Sequence, residues 1–216
     1  YGWRVNLYAD SYYFPWLKFR VNGPSMGRDL LGQIVYQPRK DLEVEVRYRN
    51  EQKSSNQTAA DSALYFLSSK TREAFRLHLQ YQYNKTFSLR ARTELVWYNR
   101  KEMDEEEGFL TYLQARYDIS QKIAANVRLQ YFETSGYNSR IYAYENDVLY
   151  GYSIPAFYDN GIRYYVNVQF DISKKLHCWL RWAQTIFDDK DKIGSGMDEI
   201  NGNIKTDYRL QLRYEW

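Results

Sequence analysis

Apolar and polar residues alternate one by one along most of this chain, and the pattern is clearest at its end. In TDYRLQLRYEW, Tyr208, Leu210, Leu212, Tyr214 and Trp216 share one face of an extended strand, while Asp207, Arg209, Gln211, Arg213 and Glu215 share the other. NGIRYYVNVQFD places Ile162, Tyr164, Val166, Val168 and Phe170 against Arg163, Tyr165, Asn167 and Gln169. KKLHCWLRWAQTIF, KIAANVRLQYFE, FSLRARTELVWY, REAFRLHLQYQY and DLEVEVRYRN repeat the arrangement. With GFLTYLQARYDI, GRDLLGQIVYQP and GWRVNLYADSYY the count reaches ten strands, and helical periodicity is nearly absent.

The connections between these strands alternate in length. Short turns are expected at QPRKD, YNKT, DISQK and DISKK, and long polar loops at 13–27, 51–71, 99–107, 137–159 and 188–205. Outward aromatics gather at the short-turn end: Tyr36, Tyr83, Tyr117, Phe170 and Trp216. A soluble β-sandwich alternates too, but it has no reason to line one rim with aromatics. Loop asymmetry and an aromatic girdle fit an antiparallel transmembrane up-and-down β-barrel, with lipid outside and water inside. The face formed by Tyr208, Leu210, Leu212, Tyr214 and Trp216 then becomes the expected assembly signal, read by the barrel assembly machinery during insertion.

Composition narrows the alternatives. A mean hydropathy of -0.73 leaves no apolar run long enough for a transmembrane helix, so a helical membrane protein is excluded. Aromatics make up 18% of the 216 residues, with 23 Tyr. The net charge of +3 is a small difference between 30 basic and 27 acidic residues, which gives no basic excess for nucleic acid. The single cysteine, Cys178, cannot form an internal disulfide. The chain opens on YGWRVNLYADS without a secretory signal, so it is read as a mature form or the C-terminal part of something longer.

The inward face concentrates charge. Arg47, Arg49, Arg76, Arg90, Arg92, Glu94, Arg116, Arg128, Arg163, Arg181, Arg209 and Arg213 are the expected lumen-lining residues, with Glu43, Glu45 and Glu215 beside them. In a wide barrel they would line a channel with anion preference. In a closed ten-stranded barrel, cross-strand charge pairs would fill the lumen. The two histidines, His78 and His177, fall inward near the short-turn end, and no G-x-S-x-G motif is present. No catalytic residue, metal site or cofactor is therefore expected. The acidic stretches EMDEEE (102–107) and DDKDK (188–192) lack calcium-loop spacing and read as solvated outer loops. The tyrosine-rich 137–159 loop reads as a contact surface, either folded back as a plug or docked on a partner.

Three stretches carry a resemblance: FPWLKFRVNGPSMGRDLLGQIVYQP (14–38), IPAFYDNGIRYYVNVQFDISKKLHCWLRWAQTIF (154–187) and IGSGMDEINGNIKTDYRLQLRYEW (193–216). They resemble the C-terminal barrel of a Bacteroidota family of helix-hairpin-helix domain-containing outer-membrane proteins. The resemblance implies an N-terminal part preceding residues 1–216, and a barrel wider than ten strands. The family's helix-hairpin-helix region matches no residue here, so no DNA contact is carried over. The expectation is a non-enzymatic, integral protein of the bacterial outer membrane in contact with its lipid and lipopolysaccharide. It serves either as a channel or transport component, or as a plugged barrel whose outer loops bind an envelope protein.

Overall fold

The computed structural model describes residues 2–58, 65–100 and 104–216. Ten long strands form one antiparallel sheet: β1 (Gly2–Phe14), β2 (Ser25–Arg39), β3 (Leu42–Thr58), β4 (Tyr65–Gln82), β5 (Phe87–Tyr98), β6 (Glu106–Ser120), β7 (Ile123–Thr134), β8 (Asn160–Asp171), β9 (Leu176–Phe187) and β10 (Ile204–Tyr214). Every strand pairs only with its neighbours in sequence, so the chain runs up and down without a crossover. The ten strands and their order are those the alternation predicts. Among the described residues no α-helix occurs. Nor does any pairing join β1 to β10, and the sheet is left with two free edges.

The loop boundaries depart from the expected ones. Residues 51–58 continue β3 and residues 65–71 begin β4, with Ser54 opposite Ser69 and Gln57 opposite Phe66. Residues 59–64 of the expected 51–71 loop lie outside the described residues. β1 likewise runs to Phe14, and β2 starts at Ser25. β6 starts at Glu106, inside the acidic stretch whose Glu102 and Met103 fall outside the described residues. In β3, β4 and β6 backbone pairing continues where the faces turn polar, and there the alternation that marks a strand disappears.

The long 135–159 connection does not stay at the rim. Its Ile141–Tyr142 pairs with its own Ala156–Phe157, and the fold-back lies across one face of the sheet. That face, called inner here, carries Arg92, Glu94, Arg128, Arg163 and Arg181, all buried. Near the loop end it turns apolar, where Val96, Leu110, Tyr112 and Phe132 pack with Ile141, Ala143 and Phe157 of the connection. Gly108 makes the close approach possible, because a Cβ there would stand 2.4 Å from the carbonyl oxygen of Ser139.

The outer face is bare and apolar. Leu113 opposes Leu129, Leu129 opposes Tyr164, Val127 opposes Val166, and Leu180 lies between Val168 and Leu210. Leu129 is 60% exposed and Leu212 62% exposed. At the turn end Tyr36, Tyr83, Tyr117, Phe170 and Trp216 are all exposed. Ring contacts join part of this rim: Trp3 stacks on Tyr36 at 4.1 Å, and Phe87 lies between Tyr83 (6.4 Å) and Tyr117 (6.2 Å).

Candidate functional site

The site is built from even-numbered residues of β4–β7 and odd-numbered residues of β8–β10, which register brings to one face. Arg163 of β8 and Arg181 of β9 both reach Glu145 of the fold-back. Arg163 donates to its carboxylate through Nε at 2.7 Å and Nη2 at 3.0 Å, and Arg181 donates to it through Nη2. Arg163 Nη1 donates to Thr185 Oγ1 at 2.7 Å. Arg209 of β10 donates to the Asp147 carboxylate. Arg181 and Arg209 stand directly opposite one another on adjacent strands, an arrangement that like charges disfavour. Glu145 and Asp147, whose side chains are fully buried, insert the compensating negative charge.

The same connection is held by its backbone. Arg92 Nη2 donates to the Tyr142 carbonyl at 3.1 Å, Arg128 Nη1 to the Tyr144 carbonyl at 2.7 Å, and Arg72 Nη2 to the Arg140 carbonyl at 2.8 Å. Arg128 also donates to Gln114 Oε1 through Nε at 3.1 Å and lies 3.9 Å above the Tyr112 ring. Asn146 Nδ2 donates to Asn126 Oδ1 at 2.9 Å, and Asn167 Nδ2 donates to the Asp147 carbonyl at 2.7 Å. Buried guanidiniums are each met by a carboxylate or carbonyl, which is what a low-dielectric interior demands of them.

The remaining lumen candidates divide by position. Arg49 is held by Asp29 at 2.5 Å and Glu51 at 3.2 Å, and Arg76 by Glu94 at 2.9 Å, where Arg92 also pairs. Arg116 pairs with Asp118 at 3.0 Å and Arg213 with Glu215 near the turn rim. Arg90 lies with Arg116, Gln114 and Asn146 around a cavity of about 180 Å³. All twelve candidates therefore fall on the inner face, but only the β4–β10 side is covered by the fold-back.

His177 Nδ1 lies 2.6 Å from Asp171, and its Nε2 lies 4.0 Å from Glu215, so carboxylates rather than a nucleophile flank the ring. His78 opposes Glu45 and Arg92. Among the described residues, no group of three His, Cys, Asp or Glu side chains is placed to hold a metal ion. Sequence reasoning missed Glu145 and Asp147, because acids in a tyrosine-rich loop look solvated. It picked out the tyrosines instead, and Tyr150 and Tyr152 are in fact about 80% exposed. The apolar inner patch had a signal in the runs LVW (95–97) and FL (109–110), where alternation gives way to continuous apolar sequence.

No protein-family model matches the chain, and no curated protein does. Among solved structures the chain is similar to the NanC porin, with a TM-score of 0.41 and 8% identity over 99% of this chain and 100% of that one. It is also similar to the P. putida toluene transporter TodX, with a TM-score of 0.35 and 10% identity over 94% of this chain and 51% of that one.

Proposed function

We propose that these strands are an outer-membrane β-barrel, or ten strands of a wider one, acting as a channel or transport component whose arginine-lined inner face favours anions. The carrying observation is the division of faces. Leucines and valines stand bare on the outside, while guanidiniums and carboxylates are buried on the inside, the reverse of a soluble sandwich. Strand length supports it, since the 12 residues of β7 extend roughly 40 Å and, tilted by about 40°, rise about 30 Å, the depth of a hydrocarbon core. The free edges of β1 and β10 support closure in the membrane, by each other or by further strands. Unpaired backbone groups in lipid cost several kcal/mol each.

The reading includes contact with outer-membrane lipid and lipopolysaccharide, an assembly signal on the outer face of β10, and membership of the Bacteroidota family resembled above. It includes no catalytic step and no cofactor. A second reading, a plugged barrel whose outer loops bind an envelope protein, is favoured by the fold-back across the inner face and by the exposed Tyr150 and Tyr152. The test is planar-bilayer conductance of the Arg90→Glu, Arg116→Glu double variant, which leaves the arginines that grip the fold-back intact. A shift of ion selectivity toward cations supports the channel. Unchanged selectivity, or conductance that appears only when residues 140–156 are deleted, favours the plugged barrel.

A further inference from the structure

Two places on the inner face oppose arginine to arginine across adjacent strands, and the chain resolves only one of them. Between Arg181 and Arg209 it supplies Glu145 and Asp147. Between Arg47 of β3 and Arg76 of β4 it supplies less. Arg76 takes Glu94, which Arg92 also claims. Among the described residues no hydrogen bond or ion pair within 4 Å engages Arg47, on which Glu45 and Glu94 act only at longer range. These groups surround a cavity of about 150 Å³ lined by Arg47, Arg49, Arg72 and Arg76, with Glu94 and with Tyr142 of the fold-back. Arg72 meets only a carbonyl there, that of Arg140. The space exceeds severalfold the volume of roughly 30 Å³ that one water takes in the liquid.

We propose that this cavity is a binding site for a small multivalent oxyanion of the phosphate or sulfate kind, held between the guanidiniums of Arg47, Arg72 and Arg76. Each guanidinium is a planar fork suited to two oxygens of such an ion, and the ion supplies here the charge that Glu145 and Asp147 supply elsewhere. Tyr142 forms one wall, and its carbonyl is gripped by Arg92, so the site lies where the fold-back meets the sheet. The proposal rests on the functional reading only in taking the inner face as aqueous. It names a stopping point for an anion entering from solution, and the ion comes from solution rather than from a lipid headgroup, since the arginines lie opposite the apolar face.

The experiment is calorimetric titration of the full chain, folded in zwitterionic detergent, with inorganic phosphate. Wild type is expected to bind, and Arg47→Gln to bind about tenfold more weakly, the effect of losing one charged hydrogen-bonding group. Lys53→Gln, on the same strand but outside the cavity, is expected to match wild type. In phosphate-free buffer Arg47→Gln is expected to melt no lower than wild type, because it removes a like-charge opposition. Should Arg47→Gln fail to fold, Arg47→Lys, which keeps the charge and loses the fork, is expected to weaken binding as well. Absence of binding up to roughly 10 mM phosphate, or equal affinity in wild type and the Arg47 variants, overturns the site. Displacement of phosphate by equimolar lipid A overturns its assignment to a soluble ion. Conductance is not read in this experiment, so an anion site without ion selectivity would refute the channel and leave the site standing.

Discussion

Leu129→Arg places a guanidinium at the seventh of the twelve positions of β7, on the outer face between Leu113 and Tyr164. Leu129 is 60% exposed and packs into no core. If water covered that face, the change would fall among surface substitutions of about ±0.5 kcal/mol. If hydrocarbon covers it, the central position costs about 2–4 kcal/mol. Tyr117→Arg provides the depth control. It lies on the same face at the turn end, is 49% exposed, and near the interface is expected to cost only about 1 kcal/mol, including its edge contact with Phe87. Urea unfolding of protein inserted in phosphatidylcholine vesicles, followed by tryptophan emission, gives both values. A cost at Leu129 within about 0.5 kcal/mol of that at Tyr117 would refute the assignment of the outer face to lipid.

Three further outcomes follow from named contacts. Glu145→Gln takes the negative charge from between Arg163 and Arg181, and losing one partner of a buried pair costs about 3–5 kcal/mol. The fold-back should then become cleavable by trypsin at Arg140 while the strands stay protected. Gly108→Ala pushes a methyl into the Ser139 carbonyl and should destabilise the same segment by about 1–3 kcal/mol, read by amide exchange of residues 139–145. Asp104 accepts from Lys70 Nζ at 2.5 Å, which holds its carboxyl below the ordinary 3.8. A depressed carboxylate contributes its stability above the ordinary value and loses it as pH falls through the folded one, so this tie should survive at pH 4 and open only in stronger acid. Carboxyl NMR titration checks it: Lys70→Gln should move the Asp104 midpoint up toward 3.8, and an unmoved midpoint would show that the tie does not set it.

The strand number, order and facing could be read in the sequence because period-two alternation survives wherever one face is apolar. Leu210 and Leu212 against Arg209 and Arg213 leave little freedom, since a slip of one residue would turn every side chain over. The extensions at 51–58 and 65–71 could not be read, because Ser54, Ser55, Ser68 and Ser69 carry no pattern although their backbones pair. At the site, the arginine ladder followed from the same parity. Its partners did not, because the register of a 25-residue connection against a sheet is set by contacts such as Arg163 to Glu145, between residues 18 positions apart with no period linking them. Fold-back was the more ordinary of the two options for that loop, yet the tyrosines singled out there stay largely exposed while two acids make the attachment.

The most direct test of the central claim is a nitroxide scan of β7 in phosphatidylcholine vesicles, with Cys178→Ser as background and single cysteines at positions 124–132. Collision rates with oxygen and with a water-soluble nickel complex are read at each position. The account predicts a period of two: high oxygen and low nickel accessibility at 125, 127, 129 and 131, with the oxygen maximum near 127–129, and the inverse on the even positions where these are reachable. Nickel accessibility at 127 and 129 as high as at the exposed turn residue Lys122 would contradict it, because the outer face would then lie in water.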